Sequence, residues 1–143
     1  MSIASKKQKA ICISVFSLYI LIVLYLTIGR FNFYYKERQL NLRLFVDLIG
    51  VIQNTGIPEF LRLFLGNIGW FVPFGFLLPI LQKRKRFLFC IAAGALFSFA
   101  IELMQFLFYK GVAEIDDLIL NTLGTAIGYL FYRLLREKLF CSK

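Results

Sequence analysis

Four long apolar runs, each interrupted by few or no charges, divide this chain. A helix rising about 1.5 Å per residue needs roughly 20 mostly apolar residues to cross hydrocarbon. The first run, Ala10 to Ile28, has Lys6, Lys7 and Lys9 before it and Arg30 after it. It is longer than the ~7–15 residues of a signal-peptide core and lacks a small-x-small site after it, so it reads as a retained anchor. The second, about Leu63 to Leu81, contains Pro73 and Pro79, which a membrane helix tolerates at the cost of a kink. Pro58, following Thr55 and Gly56, stands where that helix would begin. The third, Phe87 to Tyr109, is broken only by Glu102 and Gln105, and the fourth, about Ile115 to Leu135, opens on Asp116 and Asp117. Between the first two, Leu40, Leu44, Leu48 and Ile52 recur every four residues, with Asn41, Arg43, Asp47 and Gln53 between them. That spacing favours a short amphipathic helix, on the membrane surface or tucked between spans, over an irregular loop. The expected fold is all-α: a four-transmembrane-helix bundle in one domain over residues 1–143, with helices at about 10–28, 63–81, 87–109 and 115–135.

Composition agrees that the solvent is lipid. The 143 residues are 59% hydrophobic, against ~45–50% in soluble domains. The net charge of +9 is a topology signal. With the N-terminus inside, 11 basic residues fall on the inner side, including Lys83-Arg84-Lys85-Arg86, and 6 on the outer. Both termini are therefore expected on the cytoplasmic side of the membrane. Seven of the eight acids fall at or beyond the outer half, leaving Glu137 inside. The bases do not share one aqueous face, so nucleic acid is not an expected partner. Zero histidines exclude Ser-His-Asp catalysis and His-ligated metals. Cys12, Cys90 and Cys141 are too far apart for a redox motif or a thiolate metal site. No metal or cofactor is expected.

Ionisable groups within spans are costly, about 2.5–3.5 kcal/mol at mid-bilayer, and point to function. Glu102 lies toward the outer end of the third span, within about 10 Å of the interface. Gly94, Ser98, Glu102, Gln105 and Tyr109 share one helical face; Asp117, Asn121, Gly124 and Gly128 share another. A short connection pairs these two spans antiparallel. Counted from a turn near Gly111, Glu102 and Asn121 come out equally deep, with Gly94, Ser98, Gly124 and Gly128 letting the two backbones approach. Asn67 reaches a similar depth on the second span. The expectation is a polar pocket of Asn67, Glu102, Gln105, Asp116, Asp117 and Asn121, open to the outer leaflet. Arg30, Arg43 and Arg62 stand at its mouth to hold a carboxylate or phosphate. Plainer roles stay open: Glu102 pairing with an Arg or with Asn121 to fix register, the asparagines as helix glue, and Asp116 complementing a helix dipole.

At these residues the chain resembles the VanZ-like family of small bacterial membrane proteins. One block is Asn67-Ile68-Gly69-Trp70-Phe71-Val72-Pro73-Phe74-Gly75; the other runs from Glu102 and Gln105 through Asp116-Asp117 to Asn121-Thr122-Leu123-Gly124 and Gly128-Tyr129. The likeness spans roughly residues 30 to 132. It departs at Arg43-Leu44-Phe45, where many members carry x-Pro-Phe, and at Gly111 to Glu114, where an Arg is frequent.

The resemblance implies an inner-membrane protein of four spans, associated with low-level resistance to teicoplanin-type glycopeptides. On this reading the chain is a binding or modulating protein, with membrane lipids and a lipid-linked cell-wall precursor or lipoglycopeptide as partners. Two other readings stay open. One is an intramembrane hydrolase or transferase using Glu102 and Asp117, with a carboxylate cluster able to take Mg²⁺ or Ca²⁺. The other is a small transporter, which at this size would need an oligomer.

Overall fold

A computed structural model describes residues 6–29, 34–82 and 86–140. Helix α1, Lys6–Leu24, follows the first apolar run and widens into a π-helical turn over Tyr25–Gly29. There the Thr27 hydroxyl donates to the Val23 carbonyl at 2.8 Å. Strand β1 (Gln39–Asn41) and helix α2 (Val46–Asn54) lie between the first two spans. Gly56, at φ +91°, turns the chain into α3, Ile57–Leu81, with Pro58 in the first turn where its missing N–H costs nothing. Helices α4 (Phe87–Leu107) and α5 (Ile115–Phe140) follow, with strand β2 (Val112–Glu114) just before α5. Four helices are long and apolar enough to cross a membrane, as the runs predict.

Two kinds of packing hold the spans together. On one side an aromatic core joins α1, α3 and α4. Val23, Phe71, Phe74 and Ile101 are buried, with Phe16, Tyr19 and Phe97 packed on them. The Phe74 and Phe97 rings stack at 5.3 Å. The Tyr19 hydroxyl donates to the Trp70 carbonyl at 2.6 Å, one residue past Gly69, whose carbonyl loses its helical partner at Pro73. On the other side small residues bring backbones together. A Cβ added at Gly124 or Gly128 would run into the Ile68 or Val72 carbonyl of α3, and one at Gly75 would meet the Thr125 carbonyl of α5.

This corrects one expectation. Gly124 and Gly128 serve the α3–α5 contact rather than the α4–α5 contact. Adjacent helical residues point about 100° apart, so a stripe of small residues on α5 spans two neighbours. Gly124 and Gly128 face α3, while Thr125, fully buried, meets Gly94 of α4.

Three element boundaries also differ. The second span starts six residues before the apolar run does, because Ile57, Pro58 and Glu59 form a proper first turn. Helix α4 stops at Leu107 instead of Tyr109. Tyr109 takes a left-handed conformation (φ +58°) and the Lys110 N–H reaches the Gln105 carbonyl at 3.0 Å, the closing bond of a Schellman cap. The every-fourth leucine pattern is only half helical: Leu48 and Ile52 lie in α2, while Leu40 is in β1 and Leu44 in the turn between them.

Candidate functional site

The strand end of the bundle is built by β2. Instead of passing straight from one helix to the next, the chain runs extended from Val112 to Glu114 back along α4 before α5 begins. Extended backbone rises about 3.3 Å per residue, so three residues carry the chain back by almost two helical turns. Helix α5 therefore starts level with Glu102. Glu102, 8% exposed, accepts the Glu114 N–H at 2.9 Å. Asn121, expected at the depth of Glu102, instead donates to the Ser98 hydroxyl at 2.9 Å, one turn deeper. The α5 residue level with Glu102 is thus Asp117, one turn from Asn121 toward the cap. Asp117 in turn accepts a hydrogen bond from the Asn67 side-chain amide of α3. Three helices each place one polar side chain in this cluster: Asn67, Glu102 and Asp117.

A cap of non-helical chain covers the same end. Strand β1 pairs parallel with β2, Leu40 opposite Ala113 and Asn41 opposite Glu114. The Tyr35 N–H donates to the Tyr109 carbonyl at 2.9 Å. The Arg38 guanidinium lies over the Phe106 and Tyr109 rings, 5.5 and 5.4 Å from their centroids, and the Lys110 ammonium lies 3.9 Å from the Tyr34 ring centroid. Asp116, 2% exposed, holds the far edge: both its carboxylate oxygens accept the Phe45 N–H, at 3.0 Å each. Phe45 is itself left-handed, at φ +56°, where the chain turns into α2. The Asp116 carboxylate thus ties the cap to the first turn of α5, a contact that spacing alone does not reveal.

The remaining site candidates separate from this cluster. Gln105 turns toward α1, its amide donating to the Thr27 carbonyl in the π-helical turn at 3.3 Å. Arg62 is exposed and pairs with Glu59 one turn back, its Nε 2.9 Å from the carboxylate. Arg43 is exposed beside β1, with its backbone N–H 3.1 Å from the Asn41 side chain. Arg30 lies outside the described residues, as do Lys83, Arg84 and Lys85 of the basic run. Among the described residues, no group of three or more acids and cysteines is arranged to hold a metal ion.

Chemically the cluster offers one buried and one partly buried carboxylate, an amide and a polar backbone, walled by apolar helices. Such a set accepts hydrogen bonds from sugar hydroxyls or peptide N–H groups, and desolvation strengthens each bond. It offers no activated nucleophile among the nearby hydroxyls. Ser98 is the acceptor for Asn121, and the Thr122 hydroxyl donates to the Leu118 carbonyl of its own helix at 2.7 Å.

Comparison with known proteins bears on the family of the chain. Residues 16–136 match the VanZ/LLP1 family, a stretch that begins within the first span and contains the other three spans and all the candidate site residues. Protein VanZ of Enterococcus faecium is 35% identical over 102 residues, which cover 71% of this chain and 57% of that protein. The match thus extends over little more than half of that relative. No solved structure matches the chain. With most of its length, including both motif blocks, inside the family match, the chain belongs to the VanZ/LLP1 family.

Proposed function

We propose that this chain is a non-enzymatic binding protein at the outer leaflet of the bacterial plasma membrane. It would recognise a lipid-linked envelope component or a lipoglycopeptide, and through it contribute to low-level teicoplanin-type resistance. Family membership and the similarity to Protein VanZ support the association with resistance. The single observation that carries the binding reading is the meeting of Glu102 and Asp117 from separate helices, with Asn67 bonded to Asp117, under the β1–β2 cap. Buried membrane carboxylates are expensive to keep, and a ligand with several hydroxyl or amide donors compensates them directly. Arg43 and Arg62, exposed at this end, are the candidates to meet its anionic group, with Arg30 alongside them in sequence terms. The basic residues favour both termini in the cytoplasm, which turns the strand end outward.

The test is the lipid that co-purifies with the protein. Wild type is expected to retain a lipid-linked species detectable by mass spectrometry, and Glu102→Gln and Asp117→Asn to lose it while remaining folded in the membrane. The same lipid profile in all three would remove this cluster as the binding site. Turnover of a purified lipid-linked substrate by wild type, abolished in Glu102→Gln, would instead establish an enzyme.

A further inference from the structure

Between Leu40 and Ile52 the chain presents, among the described residues, seven large apolar side chains to the outside: Leu40, Leu42, Leu44, Phe45, Val46, Ile49 and Ile52. They are not part of any membrane span. Helix α2 packs on α3, leaving Val46 and Ile49 one turn apart on its outer side. Leu42 is 63% exposed and Ile49 is 53% exposed. We infer that α2 and the turn before it lie in the bilayer interface, with these side chains set among the upper acyl chains of the surrounding lipid.

Two further observations identify lipid as the occupant. The first is continuity. Only Thr55 and Gly56 separate α2 from α3, and the exposed face of α3 begins at once with Ile57, Leu61 and Leu65, spaced four residues apart. The apolar surface of α2 thus runs into a stripe on a membrane-spanning helix, and the lipid that covers one covers the other. The second is charge. Lys36, Arg38 and Arg43 are exposed just before α2, against one exposed acid, Glu37, a basic excess suited to phosphate headgroups. A strand pair, a capped acidic end and a helix on its side together make a shallow anchor. It fixes how deep the Glu102–Asp117 cluster sits, whether or not that cluster binds the ligand proposed above.

Trp70 is the single tryptophan of the chain and lies mid-way along α3, partly exposed. It serves as a mid-bilayer reference. In a Trp70→Phe background, Ile49→Trp and, separately, Leu42→Trp are reconstituted in phosphatidylcholine–phosphatidylglycerol vesicles with bromine at shallow or deep acyl positions. Shallow bromines are expected to quench both new tryptophans at least twofold more than deep ones, with little quenching by aqueous iodide. Native Trp70 is expected to show the reverse depth preference. Strong iodide quenching with no bromine effect would place the helix in water and overturn the inference. Insensitivity to both quenchers would mean that protein, such as a second copy of the chain, covers this face, and would overturn it equally. Having two independent positions means that the failure of one variant to fold leaves the other to decide.

Discussion

Asp116 and Asp117 are neighbours with different employment. Asp116 is a latch: it satisfies the Phe45 N–H and ties the cap to α5. Removing a buried acceptor leaves that donor unpaired, at a cost of about 1–3 kcal/mol. Asp116→Ala should therefore lower the unfolding temperature in detergent and expose residues 34–45 to protease, with Asp116→Asn falling between it and wild type. Unchanged melting and unchanged proteolysis would refute the latch. Asn121 and Ser98 form a helix–helix bond of the kind worth about 0.6 kcal/mol on average in membranes. Asn121→Ala should therefore cost little stability, and a cycle with Ser98→Ala should yield a coupling of that size; zero coupling would mean that the pair is not formed. Helical spacing is enough to put Glu102, Asp117, Asn121 and Asn67 on inward faces. It does not reveal which partner each one meets, because that depends on the level at which α5 begins.

That level is set by β2, and three residues are too few to show a period of two in a sequence. The spans were legible because some twenty apolar residues in a row leave little else to be, and Pro58 marked the start of α3 through the chemistry of a first helical turn. The end of α4 was not legible, since a tyrosine at φ +58° takes the place where glycine would be the signal. Likewise, small residues at helical spacing announce a close contact but not its partner. Gly124→Ala and Gly128→Ala press a methyl group onto α3 carbonyls. Each should destabilise the bundle by about 1–3 kcal/mol, the usual cost of overpacking. Gly66→Ala, in the same α3 helix with nothing within 4 Å of an added Cβ, should be neutral or slightly stabilising. Equal stability for all three variants in a detergent melt would contradict the α3–α5 contact described here.

Taken together, the helices, cap and interfacial segment make a polarised protein, with its buried carboxylates gathered at the strand end and many of its basic residues near the other. If the strand end faces outward, Lys110→Cys in a background without the three native cysteines should react with an impermeant maleimide on intact cells. Ser142→Cys should react only after lysis, and the opposite pattern would invert the topology. The most direct trial of Glu102 and Asp117 as one functional site is teicoplanin susceptibility in cells that carry equal membrane amounts of wild type, Glu102→Gln, Asp117→Asn or the double variant. Each single change should abolish most of the protection conferred by wild type, and the double change should be no worse than either alone, since both disable the same site. Full protection by both single variants would contradict it.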